Sequence, residues 1–333
     1  MMLMMMSLKS ICTSRNFSFL TVTNTLNYLP LHLGGLIKFR NSENTQIQTR
    51  MLSGLMRVQG RQLQLLSATE DEHRGLHVDM QDPMDSHLFA SSLRSSLSYW
   101  TQLGKRAVWI KLPIQHNNLI EAAVKEGFWY HHAEPRYVML AKWLPQDEPN
   151  TLPANASHRV SVGAFVINDK KQVLVVQEKN GMLRGKGVWK FPTGMANQGE
   201  DICAAAVREV KEETGIDTKF VQVLTFSTFK FLKIHREHHM AFFHKSDLFF
   251  VCLLQPLSFN IQVQETEVEA AQWMPFEEYA MQLFVQRYEL LRYMVKICKA
   301  RMDGQYSGFP AVAIKPSFRD GRQFIYFNTQ ASK

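Results

Sequence analysis

The sequence predicts an α/β (α+β) chain with two folded domains, and three observations support this. Its 333 residues leave room for two domains of ordinary size. Patterns typical of strands and helices alternate over residues 63–143 and again over residues 158–303. Residues 144–157 contain three prolines and predict an extended linker between the two domains. Residues 304–333 are predicted to form a C-terminal tail.

Residues 1–60 are predicted to lie outside the fold, as an organelle transit peptide or a disordered tail. They are rich in Met, Ser and Thr, and hold six Lys or Arg against one acidic residue, Glu43. This composition is typical of a transit peptide, which would direct the protein to a chloroplast or mitochondrion. The alternative is a start of translation at Met51, which would leave a cytoplasmic enzyme.

Charge and cysteine content exclude several classes of protein. Of the net charge of +8, residues 1–60 supply +5, so the folded part gives no indication of nucleic-acid binding. The four cysteines are far apart and form no CxxC pair, so neither a thiolate zinc site nor a disulfide framework is expected. No run of eighteen apolar residues exists, and no membrane partner is expected.

The first domain is predicted to contain two helices and three strands. Apolar residues near helical spacing, with a glycine at the end, predict helices over 84–104 and 117–127. Rows of β-branched, aromatic and apolar residues predict strands over 106–112, 128–132 and 136–143.

The second domain is predicted to contain five main strands and two closing helices around one loop–helix unit. The strands, expected to share one mixed sheet, are 160–168, 172–178, 220–226, 246–254 and 267–276. The closing helices are 276–284 and 288–302, and the apolar spacing of the latter predicts core contact.

The loop–helix unit is the stretch 194–216. Gly194 and Gly199 bracket the loop, Asp201 stands at the expected N-cap, and Gly215 stands where a left-handed C-cap favours glycine. Glu209, Glu212 and Glu213 are spaced i, i+3 and i+4, so they project from one patch of the helix. Like charges this close need compensation. Arg208 and Lys211 can supply part of it, and a hard divalent cation can supply more.

This stretch resembles the Nudix box and fills each of its specified places: Gly194, Glu200, Arg208, Glu209, Val210, Glu212, Glu213, Gly215 and Ile216. The resemblance implies a Nudix α/β/α sandwich with a mixed sheet, and a hydrolase that uses Mg²⁺ or Mn²⁺. It assigns Glu209 and Glu213 to the metal, and lets Glu212 share ligation or position water. By the same resemblance Arg208 holds the carboxylates and Glu200 steadies the loop.

The first domain looks like the prefix domain that precedes the catalytic domain in one Nudix branch. The likeness rests on WIKLP, EAAVKEGFWYHHAE and LPANASHRV. That branch includes plant ADP-ribose and NADH pyrophosphatases and the animal protein encoded antisense to basic fibroblast growth factor. The resemblance implies cleavage of ADP-ribose or NADH to AMP plus ribose 5-phosphate or reduced nicotinamide mononucleotide. It also implies that the prefix domain contributes to a homodimer.

Several residues outside the box are candidates for contact with substrate or metal. Arg184 and Lys186 lie in a Gly-rich loop that could approach a phosphate or could be a simple turn. Phe191 could stack an adenine, as could Trp189, although core packing explains both at least as well. A later acidic residue often completes such sites, and Glu265 and Glu267 are the candidates here.

Two groups of histidines have alternative interpretations. His131 and His132 lie beside Glu134 at a strand end, where metal binding competes with packing or hydrogen bonding at a contact. The segment 228–244 is basic and contains His235, His238, His239 and His244. It could ligate zinc, or it could be a surface insertion.

Two other functional classes remain open. One is a Nudix hydrolase of another dinucleotide, a nucleotide sugar or capped RNA. The other is a nonenzymatic ligand-sensing module on a Nudix fold. The complete set of four box glutamates argues against the second class.

Overall fold

The computed structural model describes residues 51–52, 55–58, 61–229, 245–314 and 323–328. Within these residues the chain forms strands and α-helices, and one 3₁₀ helix (Ile114–Leu119) immediately before α2. The strands are β1 (Met51–Leu52), β2 (Leu55–Val58), β3 (Arg61–Gln64), β4 (Ala68–Glu70), β5 (Gly75–Asp79), β6 (Ala107–Pro113), β7 (Trp129–Glu134), β8 (Tyr137–Trp143), β9 (His158–Val166), β10 (Gln172–Glu178), β11 (Thr193–Met195), β12 (Thr218–Phe229), β13 (Ser246–Pro256), β14 (Val268–Pro275), β15 (Ala311–Ile314) and β16 (Gln323–Tyr326). The α-helices are α1 (Ser86–Gln102), α2 (Ile120–Lys125), α3 (Ile202–Thr214), α4 (Phe276–Met281), α5 (Leu283–Arg287) and α6 (Glu289–Met302).

The first domain is a six-stranded sheet in the order β1-β4-β5-β6-β8-β7, which shares a buried core with α1 and α2. Strands β5 and β6 run parallel, and the other neighbours are antiparallel. Asp85 caps α1 by accepting hydrogen bonds from the N–H groups of His87 and Leu88. Phe89 and Trp100 of α1 pack on Ile110 of β6 in a buried core.

The second domain has a four-stranded sheet in the order β11-β9-β13-β12. Strands β9 and β13 run parallel and the other pairs are antiparallel, so the sheet is mixed. Residues alternate between its two faces. Val162 and Ala164 pack with α3, while Phe165 packs with α4 to α6 on the opposite face. The sheet is therefore covered by helices on both sides, and the predicted α/β/α sandwich is confirmed.

One part of the predicted sheet was wrong. β10 and β14 form their own two-stranded sheet and do not join the mixed sheet. The reason is that β9 already pairs with β11 on one edge and with β13 on the other. Beyond two isolated bridges, from Ile167 to Val173 and from Val176 to Lys190, β10 is therefore left to pair with β14.

Residues 144–157 contain neither helix nor strand. The predicted end of the second domain at residue 303, by contrast, is too early. Phe309 exchanges two backbone hydrogen bonds with Val223 of β12, and β15 and β16 pair as antiparallel strands. The ring of Tyr326 packs edge-on against Phe220. Part of the predicted tail therefore belongs to the folded domain.

Two sequence predictions concern residues outside the described ranges. The proposed transit peptide or tail is one of them over residues 1–50. Its predicted end at residue 60 is too late, because Met51 and Leu52 form β1 and pair with β4 of the six-stranded sheet. The other is the zinc hypothesis for His235, His238, His239 and His244. No described helix is long and apolar enough to cross a membrane.

Candidate active site

The acidic helix is α3, and its ends lie where the sequence predicts them. Asp201 is the N-cap residue with extended backbone, although its carboxylate makes no capping hydrogen bond. Its carbonyl accepts the N–H of Ala205 at 2.9 Å. Gly215 ends the helix with φ 71°, a left-handed conformation that glycine adopts without strain.

Gly194 on β11 allows Glu209 to reach the strand. A Cβ atom added at Gly194 would lie 1.9 Å from the carboxyl carbon of Glu209 and 2.1 Å from each of its oxygens. These distances are far inside van der Waals contact. The backbone of Gly194 is not in the left-handed region, so the glycine is needed here for space.

Arg208 connects the acidic side chains of the box by hydrogen bonds. Its Nε and Nη2 atoms donate to the two carboxylate oxygens of Glu200 at 2.8 Å each, in a fork-shaped pair. Its Nη1 atom donates to Glu209 and to Glu212, also at 2.8 Å. Nη2 also donates to the carbonyl oxygen of Met195 at 2.9 Å. One guanidinium thus joins three acidic side chains of the box to β11.

Hydrogen bonds from Arg208, and to a smaller extent that from the N–H of Asn197, lower the pKa of Glu200. Glu200 accepts from Asn197 at 2.8 Å, while its own N–H donates to the carbonyl of Asn197 at 3.0 Å. Glu200 therefore closes the loop that enters α3.

Glu213 is the most buried carboxylate of the cluster, with 7% of its surface exposed. Burial raises the pKa of Glu213 to about 7, and the charges of Glu209 and Glu267 act in the same direction. The ammonium of Lys190 and the backbone N–H of Thr193 oppose this shift. Oε2 of Glu213 is buried and has no hydrogen-bond partner among the described residues.

The other two carboxylates of α3 differ in exposure. Burial raises the pKa of Glu209, while the neighbouring Arg208 opposes that rise. Glu212 is more open to solvent, with 55% of its side chain exposed. The single helix face thus presents one buried, one half-buried and one exposed acid.

These residues fit a hard divalent cation. Around the cluster only two basic side chains, Arg208 and Lys190, contact its carboxylates among the described residues. The acids are Glu178, Glu200, Glu209, Glu212, Glu213 and Glu267. An excess of carboxylates and the unpartnered Oε2 of Glu213 are what such a cation would compensate. Across the described part of the chain, no three His, Cys, Asp or Glu side chains already converge on one point. Arg208 holds Glu209 and Glu212 instead.

The candidate substrate residues fall in different places. Arg184 and Lys186 are exposed on the loop between β10 and β11. Glu267 lies close enough to Glu213 to act on its charge, whereas Glu265 contributes its carbonyl oxygen to Lys179. The structure thus brings Glu267 to the acidic cluster.

Phe191 belongs to the core. Its ring is 7% exposed and stacks on Tyr279 with 4.6 Å between ring centroids. The second neighbour is Phe165, with the centroids 5.4 Å apart. The proposed stacking of a substrate base on Phe191 is therefore corrected, because the ring is already enclosed by protein.

Sequence reasoning missed three residues at the edge of the acidic cluster, Glu178, Lys190 and Thr193. Lys190 pairs with Glu178 at 2.9 Å and donates to the hydroxyl of Thr193 at 2.7 Å. Thr193 comes directly before the box, and Lys190 lies four residues before Gly194. The positive charge of Lys190 so close to the box is the sequence feature that could have identified it. Glu178 ends β10 and comes from a distant part of the sequence, so spacing could not place it.

His131 and His132 form a hydrogen-bonded pair. Their Nδ1 atoms lie 2.7 Å apart, and Nε2 of His131 lies 2.9 Å from the carbonyl oxygen of Pro153. Nε2 of His132 lies 3.4 Å from the hydroxyl of Tyr137. No metal cluster forms here among the described residues, so hydrogen bonding to the linker is the interpretation that the structure supports.

Two family models match the chain, one in each domain. A family model described as Nudix hydrolase domain matches residues 66–144, and one described as NUDIX domain matches residues 157–294. Nudix hydrolase 2 of Arabidopsis thaliana is 57% identical over 266 residues, which are 80% of this chain and 91% of that protein. Nudix hydrolase 7 of the same plant is 46% identical, over 84% of this chain and 95% of its own.

A human relative and a solved structure extend the comparison. Human nucleoside diphosphate-linked moiety X motif 6 is 37% identical over 61% of each chain. A NUDIX hydrolase structure from Nitrosomonas europaea is 23% identical, covers 43% of this chain and 89% of its own, and has a TM-score of 0.35. The plant and human relatives confirm the predicted branch. With its complete box on α3, the chain belongs to the Nudix hydrolase family.

Proposed function

We propose that this protein is a Mg²⁺- or Mn²⁺-dependent pyrophosphatase that cleaves ADP-ribose, NADH or both. The observation that supports this best is the acidic cluster on α3, in which the buried Oε2 of Glu213 has no partner among the described residues. A pyrophosphate link carries dense negative charge, and its hydrolysis needs that charge neutralised. A carboxylate cluster can bind the cation that neutralises it.

Glu209 and Glu213 would hold the divalent ion, with Glu212 sharing ligation or orienting water. Such an ion, when bound, neutralises phosphate charge and activates water. Arg208 fixes the carboxylates in relation to β11 by its hydrogen bonds at 2.8 Å. Gly194 leaves the space that Glu209 occupies. These contacts orient the acids before substrate arrives.

The choice of substrate rests on the prefix domain, which resembles that of plant ADP-ribose and NADH pyrophosphatases. Addition of water across the P–O–P link of ADP-ribose gives AMP and ribose 5-phosphate. The same cut in NADH gives AMP and reduced nicotinamide mononucleotide. The exposed side chains of Arg184 and Lys186 lie on the loop between β10 and β11, and we assign them to the substrate phosphates.

Product analysis tests this proposal. The purified protein is incubated with Mg²⁺ or Mn²⁺ and with ADP-ribose, NADH, NAD⁺, nucleotide sugars, coenzyme A and capped RNA. We expect AMP chiefly from ADP-ribose or NADH. Activity confined to another compound would overturn the substrate assignment and keep the chemistry. A folded protein inactive on every compound would favour a ligand-sensing module.

We also propose that the protein forms a homodimer through its prefix domain, as the family resemblance implies. Light scattering after gel filtration measures this directly. A mass of two chains is expected, and a mass of one chain across the working concentrations would contradict it.

A further inference from the structure

Lys190 lies between the mixed sheet and β10 of the second domain. Its N–H donates to the carbonyl of Val176 at 3.0 Å, and its own carbonyl accepts the N–H of Val176 at 2.9 Å. The next residue, Phe191, is buried against Tyr279. The backbone that carries this lysine is thus fixed by hydrogen bonds and by the adjoining core.

The ammonium of Lys190 has a defined set of partners. It lies 2.9 Å from Oε1 of Glu178 and 2.7 Å from the hydroxyl of Thr193. The side chains of the pair are 21% and 28% exposed, so the charges are partly withdrawn from water. The same ammonium acts on the carboxylate of Glu213, against the burial that raises the pKa of that group.

Two basic side chains therefore contact the acidic cluster, and each contacts different carboxylates. Arg208 contacts Glu200, Glu209 and Glu212. Lys190 contacts Glu178 and donates to Thr193, and its charge acts on Glu213. Lys190 would repel a cation bound near Glu213. Without Lys190, the carboxylates that it neutralises would attract that cation more strongly.

We propose that Lys190 is a positioning residue that limits the affinity of the acidic cluster for divalent cations while it holds Glu178 and Thr193 in place. The inference rests on the divalent-cation site of the proposed function. Loss of a metal ligand weakens cation binding. Loss of Lys190 has the opposite effect, because it removes a positive charge and leaves two carboxylates less compensated.

Mn²⁺ binding to the full-length protein, without substrate, tests this. Free Mn²⁺ is followed by electron paramagnetic resonance during titration of the wild type, Lys190→Met, Lys190→Gln and Lys190→Arg. We expect Kd to fall about five- to tenfold in the Met and Gln variants, from the removal of one nearby charge. The Arg variant keeps the charge and is expected to stay within about twofold of the wild type.

Two further measurements make the result decisive. Glu209→Gln is expected to raise Kd in the same titration, which shows that the assay reports this site. Circular dichroism identifies variants that fold, and the Gln variant, which can still donate to Thr193, serves if Lys190→Met does not. An unchanged or raised Kd in a folded Met or Gln variant would overturn the role of Lys190 alone. No Mn²⁺ binding by the wild type would overturn the proposed cation site as well.

Turnover is expected to fall in Lys190→Met and Lys190→Gln even as Mn²⁺ binds more tightly, because both variants lose the ion pair with Glu178 and Lys190→Met also loses the hydrogen bond to Thr193. Tighter binding with unchanged turnover would contradict the positioning role. A lysine with only a structural role would lower the melting temperature without tightening Mn²⁺ binding.

Discussion

The carboxylate of Glu209 occupies the space above Gly194 that any other residue would fill with its side chain. A Cβ at residue 194 would come within 1.9 Å of the carboxyl carbon. The neighbouring Arg208 holds the same carboxylate at 2.8 Å. Two features thus set the position of the Glu209 carboxylate: its hydrogen bond with Arg208 and the absence of a side chain at Gly194.

Substitution Gly194→Ala should therefore displace Glu209 without unfolding the domain. A shift of about 1 Å in a catalytic group can cost about 100-fold in rate, so we expect kcat to fall by at least about tenfold. Steady-state kinetics and a Mn²⁺ titration measure the effect. Gly304→Ala is the control, because Gly304 has φ 72° and nothing within 4 Å of an added Cβ. It should lower stability by about 1 kcal/mol and leave kcat unchanged. Wild-type kinetics in Gly194→Ala would contradict the account.

Glu213 should make the stability of the protein depend on pH when divalent ions are removed with EDTA. Burial raises the pKa of Glu213 from 4.5 to about 7 in the folded state. The folded protein therefore binds the proton more tightly than the unfolded chain. This contribution to stability is present at low pH and is lost as pH rises from about 4.5 to about 7. The loss amounts to about 3 kcal/mol at most.

Urea unfolding of the wild type and of Glu213→Gln at several pH values tests this. The difference between the two free energies of unfolding should change through the stated window, with the wild type losing stability relative to the Gln variant as pH rises. Parallel pH profiles would show that Glu213 does not titrate in this range.

Much of the second domain was predictable because its patterns are local. The apolar run within residues 172–178 predicted β10 with the observed bounds, and Gly215 marked the end of α3. Strand partners were not predictable, because pairing is decided by which edges remain free. The two edges of β9 are taken by β11 and β13, and that fact is absent from the sequence around β10.

The site shows the same division. Helical spacing alone placed Glu209, Glu212 and Glu213 on one helix face. The three side chains differ in burial, and burial depends on which loops pack over the helix. The N–H of Gln264 donates to the carbonyl of Glu213, which brings Glu267 near that acid. A contact between residues about fifty positions apart produces no periodic pattern in the sequence, so periodicity could not predict it.

Phe191 should affect stability and not substrate binding. Phe191→Ala removes a buried ring that contacts Tyr279 and Phe165, and is expected to cost about 3–5 kcal/mol. Phe191→Leu fills much of the space and should cost less while leaving KM unchanged. Denaturant unfolding and steady-state kinetics measure both. A large rise in KM in the folded Leu variant would restore the stacking hypothesis.

Residues 1–50 should act in targeting and not in catalysis. Their deletion is expected to leave kcat and KM unchanged, because the box and the residues around it all lie beyond residue 177. A fluorescent fusion of the full chain is expected in an organelle, and the same fusion without residues 1–50 in the cytosol. An unchanged location would contradict the transit-peptide hypothesis.

The acidic cluster as a divalent-cation site for pyrophosphate hydrolysis is tested most directly by AMP release from ADP-ribose and NADH with Mg²⁺ or Mn²⁺. The wild type is compared with Glu212→Gln and Glu213→Gln, and with the wild type in EDTA. Each substitution removes one negative charge and preserves side-chain size, so both variants should fold and lose turnover by orders of magnitude. The wild type should be inactive in EDTA. Wild-type turnover in both folded variants, or activity that persists without divalent ions, would contradict the account.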